Sequence, residues 1–361
     1  MAEHSTIEWT EASWNPFAGC SVHSPGCINC YAMKRVAPRL AKNPATPHYA
    51  GTVAPSKAGP IFTGVVNLAS ERVLTAPLRW KKPRMIFVNS TSDLFHENLS
   101  DADIDRVFAV MALCPQHTFQ VLTKRSERMR TYCSSGSWGF RVIDAMKAIQ
   151  PPPPGQGKVL NTVNGALPNV WLGVSAERQQ EADARVPALL DTPAAVRFVS
   201  AEPLLGPIDF TTIRPAEGAR LLGFPNVDAL RGAHYVDGSK PPHPDDRPGQ
   251  QRLDWIIVGG ESGRDARPMH PAWARQIRDD CATADVPFFF KQWGEWVQVS
   301  EDEAGGDALL GEFHDGKDWI DGCMCSEGDG PIFKIGKKRA GRLLDGVEHN
   351  GMPVCAEVPA L

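Results

Sequence analysis

Three of the nine cysteines lie close together near the N-terminus, as Cys20, Cys27 and Cys30, with six and then two residues between them. Thiolates bind iron–sulfur clusters and zinc, and close spacing lets one loop wrap a single metal centre. Three thiolates on one loop would leave one iron of a four-iron cluster open to another ligand. His23 lies in the same loop, and with the cysteines it would complete a closed, four-ligand zinc site. The spacing alone is compatible with both kinds of site.

Six short apolar runs recur along the chain, and their near-continuous hydrophobicity predicts strands buried on both faces, as in a parallel sheet. These runs are residues 85–89, 118–122, 170–174, 196–200, 255–259 and 287–291. Segments with helical periodicity lie between them, at 101–113, 177–190 and 271–284. Alternating strands and helices imply right-handed βαβ units, so we expect an α/β fold with a parallel sheet or barrel.

Polar and charged residues follow each predicted strand. In a parallel barrel these positions share the mouth at the carboxyl ends of the strands, where active sites are built. Turns there are polar in any such protein, but glutamates, a lysine and serines converging on one mouth favour a functional site. The residues concerned are Ser90, Ser92, Asp93, Lys124, Arg125, Ser175, Glu177, Glu202, Glu261, Lys291 and Gln292.

The composition is that of a folded protein. The 361 residues are 42% hydrophobic and 22% charged, with a net charge of −4, which excludes a disordered chain and a generally basic coat for nucleic acid. The N-terminus lacks the features of a signal peptide, and no apolar run approaches the ~18 residues of a membrane span. We therefore expect a soluble, cytoplasmic protein without a membrane partner. The odd cysteine count argues against a disulfide framework.

Three stretches interrupt the alternation of strands and helices. They are about 151–164, which begins with four prolines, about 214–252, rich in Pro, Gly, Asp and His, and 300–331, which is acidic and Gly-rich. We predict residues 1–299 as the barrel, with the first two insertions in its loops, and 300–361 as a C-terminal extension with a basic tail. Cys323 and Cys325, in the third stretch, are interpreted as free surface thiols.

Basic clusters occur at 79–84, 124–130 and 334–342. Together with ten tryptophans they could hold phosphates and stack bases, which makes a nucleic acid one candidate substrate.

The sequence around the cysteines resembles the cluster loop of radical S-adenosylmethionine (SAM) enzymes. The loop begins Asn15-Pro16-Phe17-Ala18-Gly19-Cys20 and ends Cys30-Tyr31-Ala32, as in the spore-photoproduct-lyase-like branch. The whole chain looks like a phage-associated three-Cys-motif family, whose members carry the same motifs in the same order. Those motifs are residues 7–10, 24–32, 87–96, 117–125, 170–175, 202–208, 258–263, 287–294 and 341–346.

Two positions depart from the common radical SAM pattern. Six residues instead of three separate the first two cysteines, and Asn29 stands where an aromatic residue usually precedes the third cysteine. Both departures resemble the sequence pattern of the three-Cys-motif family itself.

The resemblance implies a partial (β/α) barrel of about six or seven mostly parallel strands, with the cluster loop after the first strand. It implies a 4Fe–4S cluster held by Cys20, Cys27 and Cys30, with SAM on the open iron. An external one-electron donor would drive cleavage of SAM to a 5′-deoxyadenosyl radical, which acts on an unidentified substrate. The alternative is a non-catalytic zinc- or iron–sulfur-binding accessory protein that binds nucleic acid.

Charge then suggests roles for the mouth residues if SAM binds there. The amino group of SAM needs acceptors, and its carboxylate needs a cation; Lys124 resembles the lysine after the third strand of the lyase-like branch. The predicted contacts are Ser90, Ser92 and Asp93 for the amino group, Lys124 and then Arg125 for the carboxylate, Ser175 for ribose or carboxylate, Glu202 and Glu261 for ribose hydroxyls or substrate, and Lys291 and Gln292 for substrate.

Overall fold

The computed structural model describes residues 5–149, 160–217, 224–237, 239, 251–305, 308–314, 318–320 and 331–354. Large parts of the three predicted insertions lie outside these residues, and so do Cys323, Cys325 and Cys355.

A seven-stranded, all-parallel sheet forms the centre of the structure. Its strands pair side by side in chain order and curl into a half-barrel. The strands are β1 (Ala12–Trp14), β2 (Met85–Val88), β3 (Thr118–Thr123), β4 (Val170–Ser175), β5 (Val196–Ala201), β6 (Trp255–Gly259) and β7 (Phe288–Gln292). The predicted partial (β/α) barrel is confirmed, and each of the six predicted strands coincides with an observed one to within one residue at either end.

Five longer helices accompany the sheet: α1 (Asp101–Ala112), α2 (Ser126–Cys133), α3 (Trp138–Ala148), α4 (Gln179–Leu190) and α5 (Pro271–Thr283). A capping box between Ser100 and Asp103 begins α1. Helix α4 begins two residues later than predicted, because the carbonyl of Glu177 accepts a 2.8 Å bond from the Leu205 N–H instead of a helical one.

Short helices and strands lie outside the central sheet and the five longer helices. The helical ones are Pro25–Cys27, Ala32–Val36, Ala37–Leu40, Pro47–Tyr49, Glu71–Leu74, Ala76–Arg79, Glu301–Ala304 and Lys337–Ala340. Paired short strands are Phe17–Ala18 with Asn67–Leu68, Val53–Ala54 with Ile61–Phe62, and Asn226–Asp228 with Ala233–Tyr235. A four-stranded sheet contains Trp296–Gln298, Ile332–Lys334, Leu309–His314 and Asp318–Ile320.

The two faces of the central sheet bury different side chains. On the convex face, aliphatic residues such as Val121 and Leu172 pack with helix residues such as Val107 and Leu189 in the main core. The concave face carries a separate, largely aromatic cluster. Its buried members are Trp9, Phe87, Trp171, Val196, Phe198, Trp255, Ile257 and Phe289. Because side chains alternate along a strand, this same face continues toward the carboxyl ends of β4, β5 and β6 with the small residues Ser175, Ser200 and Gly259.

The C-terminal segment covers the edge strand β7. The N–H of Phe290 donates to the His349 carbonyl at 3.0 Å, and the N–H of Gly351 donates to the Phe288 carbonyl at 2.9 Å. These bonds satisfy an edge that would otherwise expose unpaired backbone groups. None of the helices in the described ranges is long and apolar enough to cross a lipid bilayer.

Candidate functional site

The cysteine loop follows β1 and crosses the mouth of the half-barrel. Gly19 directs the chain into it with a φ of +96°, in a position where a Cβ would overlap the carbonyl oxygen of Val65. Its N–H donates to the Thr91 carbonyl at 3.3 Å, and Ser92 Oγ donates to its carbonyl at 2.6 Å. Ser92, one of the predicted cofactor contacts, therefore anchors the start of the loop.

Ser90 anchors the other end of the loop. Its hydroxyl donates to Asn15 Oδ1 at 3.1 Å, and its carbonyl accepts a 2.7 Å bond from the hydroxyl of Tyr31, the residue after the last cysteine. The segment after β2 thus holds both ends of the loop.

The three thiols are half-buried and form no disulfide. Burial, reinforced by the carboxylate of Asp93, raises the pKa of Cys20 to about 12, and burial also raises the pKa of Cys30. The charge of Cys27 adds to both shifts, so this residue lies within electrostatic reach of the other two. The raised pKa values favour the protonated thiols of Cys20 and Cys30 while no metal is bound, whereas a bound metal would hold them as thiolates.

Glu177, two residues before the start of α4, contacts the middle of the cysteine loop. Its side chain is fully buried and pairs with Lys124 and, at 3.0 Å, with Arg185. It also accepts a 2.6 Å bond from Ser24 Oγ. Burial opposes the ionisation of this carboxyl, but the Lys124 and Arg185 cations lower its pKa to about 2. Gly26 rests on the same side chain, since a Cβ there would lie 2.6 Å from Glu177 Cγ.

Arg125, which follows β3, holds the first cysteine. Its guanidinium donates to Asp93 at 3.0 Å, to Glu97 at 2.9 Å, to Ser21 Oγ at 2.7 Å and to the Cys20 sulfur at 3.7 Å. Burial opposes this charge, but Asp93 and Cys20 raise the pKa of Arg125, so the guanidinium stays protonated.

Asp93 is buried, and each of its carboxylate oxygens accepts two hydrogen bonds. Its Oδ1 accepts from the Phe95 N–H at 3.0 Å and the Thr123 hydroxyl at 2.6 Å, while its Oδ2 accepts from the Lys124 N–H and from Arg125, each at 3.0 Å. These contacts fix the turn after β3, and both cations that follow β3 depend on it.

His96 extends the same network. The N–H of Asn98 donates to its Nδ1 at 3.1 Å, which leaves the proton on Nε2 to be donated to Ser21 Oγ at 3.0 Å. Ser21 is therefore held by His96 and Arg125 together, one residue after Cys20.

Glu261 and Arg267 hold the loop from the opposite side. Glu261 accepts a 2.9 Å bond from Asn29 Nδ2 and forms a 2.6 Å ion pair with Arg267. Arg267 in turn donates to the Pro25 carbonyl at 3.0 Å. Asn29, which departs from the common radical SAM pattern, thus fastens the loop to the segment after β6.

Glu202, after β5, and Lys291, within β7, form a further ion pair at the mouth. Lys291 Nζ lies 3.0 Å from Glu202 Oε1, and Ser200 Oγ donates to Glu202 Oε2 at 3.2 Å. Ser175 lies beside Ser200 in the β4–β5 register. Gln292 instead donates to Ser262 Oγ at 2.8 Å, in the loop after β6.

The donor set of the loop bears on which metal it could hold. In the described part of the chain, no three His, Cys, Asp or Glu side chains stand close enough together to enclose a metal ion. The three thiols on one loop, with an N–H donor on the Cys20 sulfur, are the groups that an iron–sulfur cluster uses. His23 is exposed and makes no hydrogen bond to a described residue, whereas a histidine ligand is normally oriented by one. These residues fit a three-thiolate centre better than a four-ligand zinc site.

The predicted basic clusters make contacts within the protein. Lys334 donates to the Arg264 carbonyl, Arg339 to the Glu303 carbonyl at 2.7 Å, and Arg342 to Asn350. Arg84 lies over the ring of Trp80, 5.2 Å from its centroid. These cations stabilise local structure, and nucleic-acid binding stays a prediction.

Of the predicted mouth residues, Ser90, Ser92, Arg125 and Glu261 contact the cysteine loop directly, and Asp93 and Lys124 contact it through Arg125 and Glu177. The contacts of Ser175, Glu202, Lys291 and Gln292 described above are with other residues of the mouth. The structure adds four residues that sequence reasoning gave no role: Arg185, Arg267, Ser21 and His96. Glu177 was predicted to lie at the mouth because it follows a predicted strand, but its contact with the cysteine loop was not predicted. The other four do not directly follow a predicted strand, and their contacts with one another, with Glu177 and with the loop became visible only in the folded chain.

Fold and site together define a parallel half-barrel protein with a three-cysteine loop at its mouth. The chain belongs to the family described as "Protein of unknown function (DUF5131)", whose family model matches residues 4–353. Comparisons with curated proteins and with solved structures find no match.

Proposed function

We propose that the protein is a radical SAM enzyme that binds a 4Fe–4S cluster through Cys20, Cys27 and Cys30 and acts on an unidentified substrate. The observation that carries the proposal is the placement of three free thiols, on one loop after β1, at the mouth of a parallel half-barrel. When bound, a cluster with one open iron supplies the one-electron cleavage of SAM to methionine and a 5′-deoxyadenosyl radical. The chain supplies the binding and orientation.

Lys124 is the residue that we assign to the carboxylate of SAM. It shares Glu177 with Arg185, so the three side chains together carry one net positive charge. Its own side chain is 18% exposed, whereas those of Glu177 and Arg185 are buried. The surplus charge of the group is therefore accessible to an anionic ligand at Lys124.

Ser90 and Ser92 are assigned to the amino group of SAM. Each hydroxyl donates its proton to the loop, and its oxygen keeps lone pairs that can accept from an ammonium. Asp93, the third predicted acceptor, already accepts two bonds on each oxygen, so its proposed role is to position Lys124 and Arg125.

The other side of the mouth is assigned to the ribose and the substrate. Ser175 and Ser200 offer hydroxyls between the two lysines, and the Glu202–Lys291 pair lies beyond them, partly accessible at 14% and 18%. Glu261 is committed to Asn29 and Arg267, which favours a role in shaping the site. The proposal also includes an external one-electron donor and a cytoplasmic, phage-associated protein. A nucleic acid is its candidate substrate.

The test is formation of 5′-deoxyadenosine and methionine by the anaerobically reconstituted, dithionite-reduced protein, measured by mass spectrometry. We expect both products from the wild type and from Cys133→Ala, whose thiol is buried in α2 away from the mouth. Cys27→Ala should give neither. A wild-type protein that carries a full cluster and leaves SAM intact would favour the alternative, a structural cluster in an accessory protein.

A further inference from the structure

Arg125 is unusual among the cations of the mouth because it contacts a cysteine sulfur directly. Its side chain is 4% exposed, and Asp93, Glu97 and Ser21 fix its orientation at 3.0, 2.9 and 2.7 Å. The remaining N–H of Nη1 then points to the Cys20 sulfur at 3.7 Å. Four of the five N–H groups of the guanidinium are thus engaged, which leaves little capacity for the carboxylate of SAM.

We propose that Arg125 sets the reduction potential of the iron–sulfur cluster, through its hydrogen bond to Cys20 and the buried positive charge that it places there. The inference rests on the proposed function. Hydrogen bonds to the sulfur ligands and the net charge around a cluster determine its potential, since both stabilise the extra negative charge of the reduced form. An electron from an external one-electron reductant is therefore accepted at a higher potential when Arg125 is present.

The carboxylates around Arg125 make the geometry specific. Asp93 is buried and Glu97 is 57% exposed, so the guanidinium is clamped between a fixed and a solvent-facing partner. A lysine has one nitrogen and lacks the planar fork, so it cannot contact Asp93, Glu97 and Cys20 in the same arrangement. Arg125 is a positioning residue of the cluster, and its predicted contact with SAM is replaced by this role.

The experiment is a redox titration of the full-length, anaerobically reconstituted protein, with the reduced cluster followed by electron paramagnetic resonance. Arg125→Gln should shift the midpoint potential to more negative values, and Arg125→Lys should shift it by less. Glu97→Gln should shift it in the opposite direction, because it removes a negative charge and leaves Arg125 in place. Arg197→Gln is the matched control. Arg197 is as buried as Arg125 but lies near the N-terminal end of β5, at the opposite end of the sheet from the mouth.

Opposite shifts in Arg125→Gln and Glu97→Gln cannot come from a general loss of structure. Should Arg125→Gln fail to bind iron, the negative shift expected in Arg125→Lys decides the question, because lysine keeps the charge but cannot reproduce the contact with the Cys20 sulfur. Potentials equal to wild type in all variants would overturn this inference while leaving the proposed function intact. A wild-type protein that assembles no cluster would overturn the proposed function, and the inference with it.

Discussion

Ser24 Oγ donates a 2.6 Å hydrogen bond to Glu177 Oε1, and this contact joins the cysteine loop to the end of β4. The same carboxylate receives Lys124 and Arg185 and lies against Gly26. One buried charge therefore fixes the middle of the loop, just ahead of Cys27. The chemistry proposed for the site depends on a loop held in this way.

Replacing Glu177 with Gln should destabilise the protein. The amide keeps an acceptor for Ser24 but leaves Lys124 and Arg185 without their counter-charge, and breaking a buried ion pair costs about 3 kcal/mol or more. Urea unfolding measures the loss. Glu127→Gln is the control, because its pair with Arg130 is exposed and should change stability by less than about 1 kcal/mol. Equal losses in the two variants would refute the role of Glu177.

The contribution of Glu177 should also depend on pH. Its pKa is about 2 in the folded protein, against about 4.3 for an unfolded chain. A lowered folded pKa gives stability that is complete above the unfolded pKa and is lost as the pH falls through the folded one. The stability difference between wild type and Glu177→Gln should therefore be constant above about pH 5 and shrink toward pH 2. Unfolding curves at pH 7 and pH 3 check this, and a difference that grows at pH 3 would contradict it.

Gly26→Ala should disturb the loop without changing any charge. The added Cβ would lie 2.6 Å from Glu177 Cγ, and the carboxylate is pinned by three partners and cannot move aside. We expect a loss of about 1–3 kcal/mol, as in overpacked cores, and a lower iron content after reconstitution. Gly136→Ala serves as the comparison, since no described atom lies within 4 Å of its Cβ position. Full iron binding and wild-type stability in Gly26→Ala would show that the loop is not held against Glu177.

His23→Ala should leave the metal content unchanged. The ring is exposed and lacks a described hydrogen bond that would orient it, so we expect the three cysteines alone to hold the metal. Metal analysis of the purified and reconstituted variant tests this expectation. Loss of bound zinc in His23→Ala, with no iron in the wild type, would identify the closed zinc site instead.

The sequence predicted six strands of the parallel sheet well because these strands are buried on both faces and bounded by polar turns, whereas the partial-barrel form was implied by the family resemblance. The residues after each strand were correctly placed at one mouth for the same reason. Helix α2 was not predicted, since its sequence is largely polar and it depends on tertiary contacts such as the 2.6 Å bond from Tyr132 to Asp105 on α1.

The network beneath the loop could not be predicted from spacing. Ser24 and Lys124 lie 153 and 53 residues from Glu177 in the chain, and no periodicity relates them to it. The prediction for Asp93 was limited in the same way, because the sequence does not show which partners a side chain has in the folded protein. Its type and position suggested a ligand contact, whereas its four hydrogen bonds within the protein became visible only in the folded structure.

The most direct test of the central claim is electron paramagnetic resonance of the anaerobically reconstituted, dithionite-reduced protein, with and without SAM. A four-iron cluster held by three thiolates leaves one iron open to SAM, so we predict a reduced 4Fe–4S signal whose shape changes when SAM is added. A cluster signal indifferent to SAM would contradict the claim and favour a structural cluster. Zinc retained in the purified protein, with no cluster formed, would contradict it as well.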